Sequence, residues 1–380
     1  MVNVAERNTD RSRCCGCSAC VRACPCGALS MKADPMGFLY PVVDSESCIG
    51  CGACLEACPF KEEAAVPDAG YMQDAYAARD PSALGKSQSG GVAFSLMKKM
   101  VQEGGVVYGA ALSGSFMPVH MRAATMDGIE RFRLSKYAQS STDGVLQQVV
   151  EDLEAGRRAL FTGTPCQTAG VFSAVAPALR KNLFLMDIIC HGVPAPELWR
   201  AYLEHCSAKA GSPVRSAMFR NPSFGWHKTV QSIGFEDGTT LDSDEYSFLF
   251  YKDIALRPSC GSCPFASLRR PSDITAGDCW GVEEAFPELA DGKPWSLVLC
   301  NSEKGAEFFA GACPGLQVTK IDVQRVLQHN LRSATVLDPR WTSFEKDLPS
   351  RGFAFVNRKY GKASPGYRIR SFIAKVKRHL

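Results

Sequence analysis

Hydrophobic and polar positions between residues 85 and 203 follow two alternating periods. Apolar residues at helical spacing form stripes in 92–103 and 145–153, and each stripe ends at glycine. Short, continuously apolar runs follow these stripes and predict buried strands, at 106–111, 158–162 and 183–190. Repeated helix and strand units of this kind predict an α/β domain with a mainly parallel sheet covered by helices.

The rest of the chain departs from this rhythm. Residues 219–250 alternate apolar and polar positions around a turn at Gly234–Gly238, which predicts an inserted antiparallel hairpin unit. The predicted fold class is therefore α/β (α+β overall). The predicted division is a small N-terminal domain, a polar linker, the α/β domain and a tail, at 1–66, 67–84, 85–338 and 339–380.

The tail has a distinct charge pattern, because residues 351–380 contain basic but no acidic residues. One face of its last turns is apolar, which predicts an amphipathic helix. The positions on this face are Ile369, Phe372, Ile373, Val376 and Leu380. Such a helix can contact an anionic membrane or an acidic partner protein, but more often it covers its own domain.

Composition narrows the class of protein. The 380 residues are 46% hydrophobic and 22% charged, as in an ordinary soluble globular protein, and a net charge of +4 does not indicate a nucleic-acid partner. No apolar run is long enough to span a bilayer. Eighteen cysteines without a secretion signal at the amino terminus predict a reducing, cytoplasmic location and metal ligation.

The cysteines of the N-terminal domain form an internal repeat. Each run has the spacing C-x2-C-x2-C-x3-C-P, and the second run begins 34 residues after the first. This spacing is typical of two-cluster ferredoxins, in which the fourth cysteine of each run ligates the other cluster. The predicted ligands are Cys14, Cys17, Cys20 and Cys58 for one 4Fe–4S cluster, and Cys48, Cys51, Cys54 and Cys24 for the other.

Zinc and disulfides are the ordinary alternatives for such cysteines. Zinc ribbons use two separated CxxC pairs, and disulfides require an oxidising compartment. Both alternatives therefore explain the repeated pattern less well than two clusters do. Cys15 and Cys26 lie off the spacing and are interpreted as bystanders packed near a cluster.

Four further cysteines form a third candidate site. Cys166 and Cys190 follow predicted strands, while Cys260 and Cys263 form a CxxC pair. The spacing leaves zinc, a third 4Fe–4S cluster and plain core cysteines open. Two clusters at the amino terminus favour iron–sulfur, because a chain of electron carriers needs a continuation. The remaining cysteines are interpreted as packed thiols: Cys206, Cys279, Cys300 and Cys313.

A Ser/Gly-rich turn, Ser89-Gly90-Gly91, precedes the predicted helix at residue 92. Backbone N–H groups at a helix N-terminus can bind a phosphate. A glycine-rich N-cap without a ligand is at least as common, so this turn alone does not identify a site.

Several motifs together resemble the coenzyme F420 hydrogenase/dehydrogenase beta-subunit family. They occur in the family's order over about residues 85–310, and the ferredoxin-like domain lies in front of them. The motifs are QSGG at 88–91, FTGTPCQ at 161–167, DIICHGVP at 187–194, RPSC-x2-C at 257–263 and DITAGDCWG at 273–281.

This resemblance implies an iron–sulfur flavoprotein. Cys166, Cys190, Cys260 and Cys263 would hold a third 4Fe–4S cluster beside FAD. The residues implied at the FAD site are Ser89, Gly90, Gly91, Thr162, Gly163, Thr164 and Asp278. His191 is a candidate proton donor, although a hydrogen bond to its surroundings is the more ordinary role for such a histidine.

The leading functional hypothesis is an oxidoreductase that passes electrons between the clusters and FAD. Its redox partners would be ferredoxin, a deazaflavin coenzyme or NAD(P)H, and it would reduce or oxidise that coenzyme or a small organic substrate. The alternatives are a non-catalytic electron-transfer subunit and a zinc-stabilised binding protein. Sequence alone does not distinguish the substrate or the direction of transfer.

Overall fold

The computed structural model describes residues 3–60 and 70–367. Its strands in chain order are β1 (Leu29–Ala33), β2 (Leu39–Val43), β3 (Asp74–Arg79), β4 (Val106–Leu112), β5 (Pro118–Ala123), β6 (Ala159–Gly163), β7 (Leu183–Ile188), β8 (Val214–Met218), β9 (Gln231–Phe235), β10 (Thr240–Ser243), β11 (Ile274–Asp278), β12 (Ser296–Cys300) and β13 (Gln317–Lys320).

The α-helices of the described residues range from single turns to a long C-terminal helix. They are α1 (Val4–Arg7), α2 (Ala19–Arg22), α3 (Ala53–Glu56), α4 (Val92–Gln102), α5 (Met126–Glu130), α6 (Val145–Glu154), α7 (Pro165–Ala174), α8 (Pro196–Ala210), α9 (Glu245–Phe250), α10 (Val282–Ala285), α11 (Glu303–Ala310) and α12 (Trp341–Tyr360). Helix α12 is interrupted at Gly352, where φ is +70°.

The largest sheet has eight strands in the order β13-β3-β12-β11-β7-β6-β4-β5. Its four neighbouring strands β4, β6, β7 and β11 run parallel, whereas β5, β12, β3 and β13 pair antiparallel with their neighbours. The predicted α/β class is confirmed. The expectation of a mainly parallel sheet is too broad, because the parallel part is limited to the central four strands.

Helices cover both faces of the central strands, which explains their continuously apolar sequences. Tyr108 and Phe161 lie on one face and pack with α6 and α7. Val107 and Leu160, their chain neighbours, lie on the other face and pack with α4 and α11. Because adjacent residues of a strand point to opposite faces, both members of each pair are buried.

The segment predicted as a linker contributes to this sheet. β3 lies within residues 67–84 and pairs with both β12 and β13. The prediction of a linker over the whole of 67–84 is therefore wrong from residue 74 onward. Alanines of this strand are buried, and the polar residues around them concealed a strand from the sequence pattern.

The antiparallel hairpin predicted within 219–250 is present as β9 and β10, joined at the predicted turn. The predicted bounds are wrong, because β8 precedes residue 219 and completes a three-stranded sheet of order β10-β9-β8, and residues 245–250 form α9. This sheet shares a core with α8, α9 and α12. Met36 and Phe38, from the β1–β2 hairpin of the N-terminal domain, are fully buried in that same core. The two domains are thus packed together through apolar side chains.

The predicted amphipathic helix at the end of the tail falls in residues 368–380, outside the described residues. Within the described parts of the chain, no helix has the length and apolar character needed to cross a membrane.

Candidate electron-transfer site

The cysteines predicted to ligate the second cluster line one cavity of the N-terminal domain. Cys24 from the first run lies there with three cysteines of the second run, Cys48, Cys51 and Cys54. This is the interleaved arrangement that the spacing predicts. Exposed Cys26 and Ile49 also line this cavity, so it lies near the surface.

The other four cysteines of the repeat are buried and lie close to one another. Burial raises the pKa of the Cys14 thiol, and the neighbouring Cys17 and Cys58 raise it further. Burial likewise raises the pKa of Cys20, with contributions from the same neighbours. A metal cluster offsets this cost by binding the thiolates directly.

Two arginines bring positive charge to these cysteines. Arg7 interacts with Cys58 and acts to lower its pKa, and one buried guanidinium nitrogen of Arg7, Nη2, has no hydrogen-bond partner in the described structure. Arg257 donates to the Cys14 carbonyl and lies 3.6 Å from its sulfur. Positive groups around buried cysteines fit an anionic iron–sulfur cluster.

The four cysteines of the third candidate site converge on one cavity. Cys166 lies in the first turn of α7, directly after β6, and Cys190 lies two residues beyond β7. The 3-10 helix Pro258–Ser262 supplies Cys260, and Cys263 follows it. The ends of two parallel strands and a distant loop therefore meet at the edge where such sheets place their sites.

Burial and mutual proximity control the protonation of these thiols. Burial raises the pKa of Cys260 and of Cys263 to about 12 and that of Cys190 well above its ordinary value. Cys166 differs, because hydrogen bonding from Cys15 lowers its pKa to about 7. A ligand that binds thiolates is needed to hold the other three deprotonated at neutral pH.

Hydrogen bonds hold the loop that carries Cys263 against the sheet. The buried guanidinium of Arg270 donates to Phe265 O at 2.8 Å, to Ile188 O at 3.1 Å and to Asp187 Oδ1 at 3.0 Å. The Val193 amide donates to Cys260 Sγ at 3.4 Å. These contacts position the CxxC pair opposite the end of β7.

Cys15 connects the two domains at this point. Its thiol is buried, lines the cavity of the third candidate site and lies 3.9 Å from the carbonyl oxygen of Cys166. Hydrogen bonding with Cys166 and with Cys17 raises its pKa well above the ordinary value. The interpretation of Cys15 as a bystander is therefore incomplete, because the residue lies between one predicted ligand of the first cluster and one of the third.

A glycine permits this close approach. A Cβ atom on Gly170 of α7 would lie 2.7 Å from Cys17 Cβ and 2.8 Å from its sulfur. The sequence offered only an isolated glycine inside a helical segment as a signal for this contact.

His191 lines the cavity of the third candidate site and pairs with an acidic residue. Its Nε2 lies 2.6 Å from Asp253 Oδ1, and its backbone oxygen accepts a hydrogen bond from Thr335. Phe250 and Tyr251 approach the ring edge to face, with centroids 5.2 and 5.5 Å away. These contacts fit the more ordinary role of His191, that of a hydrogen-bonded histidine beside the site.

The residues predicted at a flavin site fall into two groups at the same sheet edge. Ser89 Oγ lies 3.1 Å from Trp295 O and 3.4 Å from Gly277 O. A Cβ on Gly90 would lie 2.5 Å from Ala78 O, and Gly91, with φ of +81°, precedes α4. The turn is thus packed against the sheet, and the structural reason for its glycines is clear.

The second group lies at the end of β6. Thr162 is buried and donates to Tyr108 O at 3.2 Å. Gly163 ends the strand, and Thr164 caps α7 and lies 3.2 Å from Cys166 Sγ. This group therefore touches the third cysteine site directly.

Asp278 ends β11 and joins the first group. It pairs with the buried guanidinium of Arg220 at 2.8 Å and interacts with Ser89. Burial raises the pKa of Asp278, although Arg220 and Ser89 act to lower it.

A half-buried lysine in the segment after α5 gives no signal in the sequence. Lys136 Nζ donates to the carbonyl oxygens of Arg131 and Arg133, at 3.1 and 2.6 Å, and no carboxylate in the described structure pairs with it. Burial lowers its pKa to about 7. The neighbouring Arg133 reaches Ser87 at 3.4 Å, beside the Ser89 turn. A half-buried ammonium group that pairs with no carboxylate of the described residues fits an anionic ligand.

Within residues 3–60 and 70–367, no three His, Cys, Asp or Glu side chains are arranged to hold a single metal ion. The cysteines expected to be packed thiols agree with that interpretation: Cys206, Cys279 and Cys300 are buried, and Cys313 is half-buried.

Two regions of the chain match known protein families. Residues 156–324 match the family described as the C terminus of the coenzyme F420 hydrogenase/dehydrogenase beta subunit, and residues 13–61 match the 4Fe–4S dicluster domain.

A search among curated proteins found no match. A chain in the xenon-derivatised F420-reducing NiFe hydrogenase complex from Methanosarcina barkeri is 19% identical, with a TM-score of 0.48, over 70% of this chain and 88% of that chain. The two family matches cover most of the motifs and confirm the resemblance inferred from them. The chain is thus similar to the coenzyme F420 hydrogenase/dehydrogenase beta-subunit family over residues 156–324, and it carries a 4Fe–4S dicluster domain at residues 13–61.

Proposed function

We propose that this protein is an iron–sulfur flavoprotein oxidoreductase with two ferredoxin-type clusters, a third 4Fe–4S cluster and FAD. The single observation that carries the proposal is the convergence of Cys166, Cys190, Cys260 and Cys263 on one cavity. Cys15 of the dicluster domain lies in the same cavity, so the dicluster domain and the α/β domain share this site.

The surroundings of the cavity favour a cluster over the zinc alternative. Cys15 of the dicluster domain lines the same cavity as the four cysteines, so the site directly adjoins a domain of the iron–sulfur type. The route between the domains is also short, because Cys15 interacts with both Cys17 and Cys166. A third cluster here would extend the electron path that the dicluster domain begins.

The sheet edge beside Cys166 offers groups suited to FAD. Half-buried Lys136 would supply a positive charge to a phosphate, which would also favour its protonated form, and Ser89 and Asp278 lie together at the end of β11. Thr164 contacts Cys166, which would bring a ligand at this edge close to the third cluster. When bound, the clusters supply one-electron transfer, and FAD connects this to two-electron chemistry.

His191 is the proposed proton donor for the substrate. Asp253 engages its Nε2, which orients the ring and leaves transfer to Nδ1. Substituting His191→Gln should lower turnover by about 10²- to 10⁴-fold, the usual range for general acid catalysis, without loss of iron or flavin. Asp253→Asn should give a smaller loss, because it removes orientation and leaves the ring. Equal activity in His191→Gln and the parent protein would exclude this role.

A second function, electron relay to a separate enzyme, is favoured by the exposed rim of the cavity that the second cluster's predicted cysteines line. Cys51 and Cys26 are exposed, and Ile49 beside them has 65% of its surface accessible. Such a rim suits the docking of a redox partner. The substrate of the oxidoreductase would be a deazaflavin-type coenzyme or a small organic molecule.

Flavin reduction distinguishes these functions. The FAD-loaded chain, purified without oxygen, is offered reduced ferredoxin, a reduced deazaflavin coenzyme and NADPH in turn while flavin absorbance is followed. An oxidoreductase should be reduced by at least one donor and reoxidised by a small acceptor over many turnovers. Reduction without any turnover would favour the relay. If the parent chain does not bind FAD, and if Lys136→Met shows the same lack of binding, the flavin assignment is contradicted.

A further inference from the structure

Arg257 is buried between two of the candidate cysteine sites. Its side chain is 1% exposed, yet no carboxylate in the described structure pairs with it. Removing a guanidinium from water is costly unless a negative group compensates for its charge. The negative group that compensates for the charge of Arg257 therefore lies among its other neighbours.

Every donor of the side chain is directed to the N-terminal domain or to the segment beside it. Nε donates to Cys14 O at 2.6 Å, and Nη2 donates to Leu39 O at 2.7 Å. Nη1 donates to Gln139 Oε1 at 2.7 Å, and Gln139 in turn donates to Cys15 O at 2.8 Å. These acceptors are neutral, so they fix the position of the guanidinium and leave its charge uncompensated.

The nearest group able to carry a negative charge is the sulfur of Cys14, 3.6 Å from Nη2. The ring of Tyr40 lies against the other side of the guanidinium, with its centroid 4.3 Å from Cζ. Burial raises the pKa of Tyr40 to about 12, so this ring is neutral. The charge of Arg257 thus lies nearest to a candidate ligand of the first cluster, and it also acts on Cys166 and Cys260 across the cavity of the third site.

The backbone of Arg257 fixes the third site as well. Its N–H donates to Val193 O, and its carbonyl accepts from the Cys260 amide, both at 2.9 Å. The residue therefore joins Cys14 to Cys260 through a single rigid element, the start of the 3-10 helix.

We propose that Arg257 is the counter-ion of the cluster on Cys14, Cys17, Cys20 and Cys58 and raises the reduction potential of that cluster. The inference rests on the proposed ligand assignment and adds a role to a residue outside the ligand set. A reduced cluster carries one more negative charge than an oxidised one, so a fixed cation beside it in a low-dielectric site stabilises the reduced form. Electrons then favour the cluster that faces the α/β domain.

The test is an EPR-monitored redox titration of the full chain with its clusters, in the parent and in Arg257→Gln. At the parent midpoint the ratio of reduced to oxidised cluster should fall about tenfold in the variant, a shift of about 59 mV to lower potential for one electron. Arg200→Gln, on the exposed face of α8, removes the same charge far from the cysteines and should leave the midpoint unchanged. Equal midpoints in Arg257→Gln and Arg200→Gln, with iron retained, would overturn the inference.

Arg257→Lys provides a second measurement if Arg257→Gln fails to fold. Pulsed EPR of the reduced parent, labelled with ¹⁵N-arginine, should show a ¹⁵N coupling to the cluster that is reduced in Arg257→Lys, where Arg7 is the labelled arginine that remains beside these cysteines. A coupling of unchanged size in Arg257→Lys would overturn the inference. If substitution of the proposed cysteine ligands leaves the iron content unchanged, the ligand assignment is contradicted instead. The two failures are therefore distinguishable.

Discussion

At the scale of single residues, buried polar groups at the sheet edge have defined protonation states. His120 is buried and stacked on Phe161, with ring centroids 5.0 Å apart. Its Nε2 lies 2.9 Å from Thr162 O and its Nδ1 lies 2.9 Å from Ser140 Oγ. A neutral ring satisfies both contacts, donating to the carbonyl and accepting from the hydroxyl. Burial lowers its pKa to about 4.

This pKa predicts a pH dependence of stability. An unfolded histidine titrates near pH 6.5, so between about pH 4 and about 6.5 the unfolded chain binds more protons than the folded one. The contribution of the neutral His120 ring to the free energy of unfolding is complete above about pH 6.5 and is lost as the pH falls toward about 4. Replacing His120→Asn should reduce the slope of unfolding free energy against pH, by at most about 1.4 kcal/mol per pH unit.

The measurement is denaturant unfolding at several pH values between 5 and 7, under anaerobic conditions. Exposed His329 provides a control, because His329→Asn should keep the parent's slope. Identical slopes in His120→Asn and the parent would show that His120 does not titrate in this window.

Single residues also show what the sequence could not reveal. The four-cysteine set at 166, 190, 260 and 263 was visible because cysteine is rare and each member adjoins a strand end or a CxxC pair. Arg257, Lys136 and Cys15 gave no such signal, because their roles depend on burial and on neighbours distant in sequence. The place of Arg257 three residues before Cys260 was the one available indication.

At the scale of elements, α7 is one of the contacts between the dicluster domain and the helices that cover the sheet. It begins at Pro165 with a capping box between Thr164 and Gln167. Its first turn carries Cys166, and one turn later Gly170 faces Cys17. The same helix therefore holds a candidate ligand of the third cluster and accommodates a ligand of the first.

Substituting Gly170→Ala should weaken this contact. The added methyl group would enter the space of Cys17 Cβ and Sγ, at 2.7 and 2.8 Å, and overpacking of this kind costs about 1–3 kcal/mol. The loss should exceed the gain of up to about 1 kcal/mol from higher helix propensity. Thermal unfolding of the cluster-loaded protein gives the comparison.

Gly114 offers a matched control, since a Cβ there meets no atom within 4 Å. Gly114→Ala should change the stability by no more than about 0.5 kcal/mol. A Gly170→Ala protein as stable as Gly114→Ala would mean that α7 and α2 are further apart than these distances indicate.

Elements also mark the limit of the pattern-based predictions. The periods located α4, α6 and the strands β4, β6 and β7 closely, because the helices are buried along a single stripe and the strands on both faces. β3 was missed, since its alanines carry little hydrophobic signal although its partners β12 and β13 bury them. The antiparallel direction of β12 was not encoded in its apolar sequence, which a parallel strand could equally have.

At the scale of the whole molecule, the three cysteine sets form a series. The second set opens near the surface, the first set is buried beneath it, and Cys15 leads from the first set to the third at the sheet edge. Packing of Met36 and Phe38 into the core of the α/β domain holds the two ends of this series together. An electron entering at the exposed rim would thus have a continuous path inward.

The most direct test of this account is the iron and sulfide content of the chain purified without oxygen. Twelve cysteines in three cubes predict about twelve irons per chain, and the double substitution Cys190→Ser and Cys260→Ser should leave about eight. Cys313→Ser, a half-buried thiol outside the sets, should retain about twelve. About eight irons in the parent, unchanged in the double variant, would contradict a third cluster at the sheet edge.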